Sequence, residues 1–408
     1  MIYDVDSIRA HFPALLAGTV HFDSPGGTQT PLSVGQAIFG TLTGPLSIRG
    51  RRSLSERNAD DAVAGFRSAM ADLLGADPVG IVYGRSATQL TYDFSRHLSR
   101  CWSAADEIVV SRLDHDANIR PWVQAADHAG ATVVWVDFDP ETGELPASAV
   151  AAVLTDRTRL VAVTAASNLI GTLPSIAEIA AVVHQAGALL FVDGVHYVPH
   201  AFVDVAALGA DFFVCSAYKF FGPHCGVLTA DPALLARIHP DKLLPSTDVV
   251  PERFELGTLP YETLAGVTAA VDFLAGLGEL ATGVAPRPSA SRRERLRTSL
   301  RLAEVHEYSL RDRLESGLAA LPGVTVYSRA AERTPTVLMG FAGRPAADAT
   351  EFLFERGILA PSGSFYALEA SRHLGLGDAG ALRIGLAPYS TTAEIDALIA
   401  AIADFAGS

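Results

Sequence analysis

Two residues stand where a hydrophobic run stops. The run Ala188-Leu189-Leu190-Phe191-Val192 ends in Asp193, and the run Asp211-Phe212-Phe213-Val214-Cys215 ends in Ser216-Ala217-Tyr218-Lys219. Both runs read as buried strands. In an open α/β sheet, ligands bind beyond the carboxyl ends of the strands, so an acid and a lysine placed there converge on one ligand. A lysine amine forms Schiff bases with carbonyl groups, and an acid facing a pyridinium nitrogen is the usual electronic partner in a pyridoxal phosphate (PLP) site.

Other chemistry-bearing residues also follow apolar runs. Ile81-Val82-Tyr83 leads into Gly84-Arg85-Ser86-Ala87-Thr88-Gln89 and then a helical segment, Leu90 to Trp102. Small hydroxyl residues and free backbone N–H groups at a helix N-terminus favour a phosphate. Ile108-Val109-Val110 precedes Asp114-His115-Asp116-Ala117-Asn118, and an imidazole there can stack on a ring or carry a proton near neutral pH. Leu160 to Thr164 precedes Asn168. Arg383 lies inside the apolar run Ala381 to Leu386, where a buried guanidinium calls for an anionic partner and matches a carboxylate bidentately.

The elements that must position these residues alternate. Strand and helix patterns repeat from Ile81 to Cys215, which predicts a mostly parallel sheet. Gly283 to Ser291 is a Pro- and Ser-bearing break, followed by a charged helix, Arg292 to Leu321, and by strands at Thr336–Phe341 and Ala381–Leu386. We expect an N-terminal segment (1–30) that joins the small domain, a large domain (31–283) and a small α+β domain (284–408). The turn-rich stretch His21 to Pro31 is a candidate wall of the substrate entrance.

The 408 residues are 49% hydrophobic and 19% charged, with a net charge of -14, the balance of a globular protein that repels phosphate backbones and anionic lipid. Nucleic acid and membrane are therefore not expected partners. Three cysteines at irregular spacing provide neither a disulfide framework nor a zinc site, which fits a reducing cytosol. The 12 histidines are scattered, so no metal is expected. The first residues carry early acids rather than a signal-peptide core, and no run is expected to approach the roughly 20 apolar residues of a membrane span.

The stretches Asp193-Gly194-Val195-His196 and Ser216-Ala217-Tyr218-Lys219-Phe220-Phe221-Gly222-Pro223 resemble the fold-type I PLP enzymes of the class V aminotransferase group, which includes cysteine desulfurases and isopenicillin N epimerase. The resemblance implies a fold-type I architecture with a mostly parallel seven-stranded sheet. It implies that Lys219 forms the internal aldimine and then acts as the α-proton base, and that Asp193 keeps the ring nitrogen protonated. His115 would stack on the ring, since DHDANIRPW is similar to the family's E-H-x-A-N-x-x-P-W. Ala87, Thr88 and Gln89 would cradle the phosphate, and Asn168 would meet the phenolic oxygen. His196, Ser216 and Tyr218 would complete the cofactor site. Arg383 would hold the substrate α-carboxylate. In Phe254-Glu255-Leu256-Gly257-Thr258, Thr258 would reach the phosphate of the neighbouring subunit, which implies a homodimer with shared active sites.

The pattern breaks in two places. Pro361-Ser362-Gly363-Ser364-Phe365-Tyr366 matches the desulfurase loop, yet Tyr366 stands where the sulfur-accepting cysteine would be. Only a thiolate accepts sulfur as a persulfide, so Tyr366 is instead a candidate substrate contact. Tyr218 replaces the His that desulfurases place before the lysine. The expected activity is a β-eliminating C–S lyase acting on an amino acid. The alternatives are an epimerase or racemase, an aminotransferase and, in another class, a non-catalytic PLP-fold binding protein.

Overall fold

The computed structural model of the chain describes residues 3–407. Its central sheet has seven strands in the order Ile81–Gly84, Gly226–Ala230, Phe212–Ser216, Leu189–Asp193, Thr158–Thr164, Glu107–Ser111 and Thr132–Val136. Gly226–Ala230 runs antiparallel to both neighbours, and the other pairs are parallel. The architecture is α/β, as the alternation of patterns predicts.

Continuous apolar runs form these strands because both faces of the sheet are covered. Successive side chains point to opposite faces, so Leu190, Val192, Phe213 and Cys215 enter one core while Phe191, Phe212 and Val214 enter the other.

The helix Tyr261–Thr282 corrects one expectation. It spans 22 residues with a mean hydropathy of 1.5, long and apolar enough to cross a membrane by length and composition alone. It is apolar because it is a core helix, packed on the helices Leu32–Thr43, Leu54–Leu74 and Arg292–Ala319.

A second, antiparallel sheet has the order Ser362–Gly363, Ala381–Gly385, Thr336–Phe341 and Val324–Val326. Two connections tie it to the larger core. The helix Arg292–Ala319 begins with a Ser291/Glu294 capping box, then buries Leu296 and Leu300 in the large core and Leu310, Leu314 and Leu318 in the small one. At the N-terminus, Ile8, Phe12 and Leu15 join the large core, whereas Val20–His21 pairs in parallel with Ile358–Leu359 and Phe22 enters the small core. The segment after Phe22 is thereby drawn across the junction between the two cores.

Candidate active site

The carboxyl ends of the parallel strands open into a cavity of about 660 Å³ at that junction. Asp193 is the last residue of its strand, and Lys219 closes the turn Ala217–Lys219 that follows the adjacent strand. Both are buried and both line the cavity. The Lys219 ammonium donates to the Pro25 carbonyl, so the N-terminal segment forms one wall. Thr28 fixes that segment from its other end, its backbone N–H donating to the Tyr218 carbonyl at 3.1 Å.

Burial dominates the electrostatics here. It pulls the Lys219 ammonium down to about 7, with Arg383 adding repulsion and Asp193 opposing. It pushes the Asp193 carboxyl up to about 6, against a Val195 N–H bond and the lysine. Lys219 is thus a base that is partly free near neutral pH. The same burial holds His115 down to about 4 and keeps its ring neutral; its Nδ1 accepts from the Ala117 N–H at 3.0 Å, which leaves the proton on Nε2.

The strand Ile81–Gly84 delivers the start of a helix to the same cavity. That helix begins at Ala87, three residues earlier than the apolar pattern indicates, because Ser86 caps it by accepting from the Gln89 N–H at 3.0 Å. Gly226 allows the close approach: a Cβ there would lie 2.3 Å from the Ser86 carbonyl carbon. Ser86, Ala87 and Thr88 line the cavity. Gln89 does not. Its side chain is turned along the helix to Asp93, at 3.3 Å, so only its backbone belongs to the helix N-terminus.

Other expected residues divide in the same way. His196, Ser216, Tyr218, Asn168, Arg383 and Tyr366 line the cavity with Lys219, Asp193 and His115. Asn168 is engaged differently from expectation, since its Nδ2 donates to the Phe365 carbonyl at 2.9 Å and its buried Oδ1 has no partner. Thr258 lies outside the cavity, exposed on the loop after Glu252–Phe254. Glu255 anchors that loop by accepting from the Tyr83 N–H at 3.0 Å and from Arg67 at 2.7 Å.

Arg383 sits in the strand Ala381–Gly385, 3% exposed. Its Nη1 donates to the Asn168 carbonyl at 2.8 Å, its guanidinium lies 3.6 Å over the Phe365 ring, and its Nε has no partner. Among the described residues no carboxylate bonds to it, and burial draws it down to about 9 with Asp23 opposing from nearby. The fork is therefore fixed in direction and open toward an anion.

These features test whether PLP fits. A buried acid and a buried lysine face one space, a helix N-terminus offers unpaired N–H groups, and Asn168 Oδ1, His196 Nδ1 and Arg383 Nε are buried polar atoms left without a protein partner. The donor set fits. The comparisons with known proteins agree: the family described as aminotransferase class-V matches residues 20–283 and 295–398. The chain belongs to the class V aminotransferase family. It is a PLP-dependent enzyme of fold-type I. An uncharacterised protein of Mycobacterium tuberculosis is 34% identical over 405 residues, covering 99% of each chain. An aminotransferase-like protein, FGM3, of Gibberella zeae is 32% identical over 421 residues, covering 98% of each. Among solved structures, the cysteine desulfurase CsdA of Escherichia coli superposes with a TM-score of 0.85 at 26% identity, over 100% of this chain and 99% of that one.

Against that family background, sequence reasoning missed Phe365, which lines the cavity beside the expected Tyr366, and Asp114, which immediately precedes His115. Phe365 and Tyr366 both adopt left-handed backbone, with φ of 52° and 59°. The Tyr366 carbonyl accepts from the Asp116 N–H at 2.7 Å, and its ring lies 5.5 Å from that of His115. Asp114 is fully buried and accepts from Asn118 at 2.7 Å. Its place immediately before His115 was the available signal. Pairing of Phe365 with Arg383 had none, because it joins residues from separate elements.

Proposed function

We propose that this class V family member is a cysteine desulfurase-like C–S lyase. It takes the α-proton from a sulfur-substituted amino acid and expels the sulfur from the β-carbon as a free thiol. One observation supports this above others: the cavity combines Lys219 as a base with Arg383 as a carboxylate clamp, and none of the three cysteines lines it. Cys101 is exposed elsewhere, and burial pushes the Cys225 thiol up to about 12 and the Cys215 thiol well above its ordinary value. A persulfide route needs a thiolate at the substrate, so sulfur leaves by another way.

PLP, when bound, supplies the electron sink conjugated to the α-carbon. The N–H groups at Ala87 and Thr88 would hold its phosphate, and Asp193 would place negative charge at the ring nitrogen. The neutral His115 ring would pack on it. Arg383 receives the α-carboxylate through Nε and its free Nη, which fixes the α-carbon above Lys219. Nζ of Lys219 then takes the α-proton and returns it to solvent or product. The Pro25 carbonyl, which accepts from that nitrogen, forms the adjacent wall.

We further place the enzyme as a homodimer in which the exposed Thr258 loop reaches the partner's cavity, and in the cytosol, where its unpaired cysteines suit a reducing environment. Light scattering checks the first of these: an active monomer would remove the role given to Thr258.

The test of the reaction uses PLP-loaded enzyme in heavy water with L-cysteine, cystine, cysteine S-conjugates and plain α-amino acids. Pyruvate, ammonia and thiol in equal amounts, from substrates with a β-leaving group only, are expected. Deuterium at the α-carbon with loss of optical purity and no pyruvate would replace the lyase with an epimerase.

A further inference from the structure

Behind the cavity wall lies a chain of buried ionisable groups that the proposed chemistry does not use. His196 lines the cavity, and its Nε2 is 2.8 Å from the Thr336 hydroxyl and 3.2 Å from that of Thr334. Its Nδ1 is buried with no partner among the described residues. The ring of His200 packs edge-on against it, with centroids 5.2 Å apart at 71°. His200 Nδ1 in turn lies 3.1 Å from Oε2 of Glu307, a carboxylate with no solvent exposure whose Oε1 has no partner.

Stability does not account for this arrangement. A buried carboxylate with one orphaned oxygen costs free energy, and apolar residues of similar volume commonly hold such a site as well or better. Its position carries more meaning. Glu307 lies on the helix Arg292–Ala319, between Leu300 in the large core and Leu310 in the small one. Thr334 and Thr336 come from the small domain and His196 and His200 from the loop beyond Asp193, so the chain runs from the cavity into the domain junction.

An ionised carboxylate only accepts, so Glu307 places the His200 proton on Nδ1 and leaves the other ring nitrogen without one. We propose that Glu307 and His200 are positioning residues for His196: the carboxylate fixes the His200 tautomer, and the His200 ring, packed edge-on, holds the His196 ring turned so that Nδ1 is offered to the cofactor. Burial is the largest influence against a second proton on His196, and the charges of Lys219 and Arg383 act in the same direction. Around Glu307, burial and Glu304 disfavour ionisation while His200 favours it, and the Tyr3 and Tyr389 phenols stay protonated beside it.

This proposal rests on the cavity holding PLP and is independent of which reaction follows. Its first test needs neither cofactor nor variant: nitrogen NMR of cofactor-free, histidine-labelled protein. The expected result is His200 protonated on Nδ1 and His196 still neutral well below the ordinary histidine value of about 6.5. A proton on His200 Nε2, or ordinary titration of His196, would overturn it. The second test is Glu307→Gln, which keeps shape and removes the charge. The His200 tautomer is then expected to change, and the midpoint of the pH-dependent visible absorbance of the PLP-loaded protein to move by about half a unit or more. A folded Glu307→Gln protein with both signals unmoved would sink the proposal, and if that variant fails to fold, the wild-type NMR decides alone.

Discussion

The floor of the cavity and its small-domain loop meet the same ligand under opposite physical conditions. Asp193 and Lys219 lie at strand ends, 6% and 8% exposed, and the dry surroundings move both toward neutrality. Tyr366 is 76% exposed, and its place is set by left-handed backbone and hydrogen bonds rather than by packing. The floor depends on sheet register and cannot change without unfolding the core. The loop hangs from a few bonds and tolerates replacement. That difference teaches where a family of one fold finds different reactions: cofactor handling is built into the sheet, and the outcome into the loop.

The largest expected effect falls on the floor. Lys219→Met should reduce turnover by at least about a hundredfold, the loss typical of a missing general base. The same variant sharpens the comparison through stability. The lysine in the folded protein titrates near 7, below its unfolded value of about 10.5, so the folded state binds fewer protons between those values. Its cost is full below pH 7 and fades as pH rises toward 10.5. Cofactor-free Lys219→Met should therefore be more stable than wild type at pH 6 by on the order of 5 kcal/mol, with the gap closing by pH 10.5. A constant gap in urea unfolding across that range would mean that the buried amine is not the strained element.

An intermediate effect is expected where floor and loop touch. Arg383→Lys keeps the charge but loses the fork that lies over Phe365. KM for the amino acid should rise about thirtyfold or more, with a much smaller change in kcat, since the loss is one of carboxylate binding. An unchanged KM with a fallen kcat would move Arg383 from substrate binding to the proton-transfer step.

The smallest effect belongs to the loop. Tyr366→Gly removes a side chain from backbone at φ 59°, where glycine is at ease, and stability should rise by up to about 1 kcal/mol. A loss of stability instead would show that the His115 contact holds the loop more firmly than the backbone opposes it, and the contrast drawn between the two regions would weaken.

Much of the floor was legible in the chain. Apolar runs that stop at Asp193 and Lys219 announce strands, and strand ends announce a ligand, because period and burial are local signals. The start of the helix at Ala87 was missed, since a Ser cap and its N–H bond produce no periodicity. Gln89 and Asn168 were given the right neighbourhoods but not the right directions. Side-chain aim depends on where a helix begins and on which distant carbonyl is in reach. The apolar helix Tyr261–Thr282 shows the same limit from the other side, as composition does not tell a membrane from a protein core.

The sequence by itself determined the α/β order, the acid and lysine at strand ends, the arginine within an apolar strand and the lack of a thiol in the loop. Each of these is a matter of residue type against a short repeat. Tertiary structure alone decided that Arg383 lies over Phe365 beside Asn168, that the Pro25 carbonyl receives Lys219, and that Glu307 stands behind His200 and His196. Apart from Arg383 over Phe365, whose strand and loop are near in the chain, those contacts join residues more than 100 positions apart, and the closing of two cores around a shared helix brings them together.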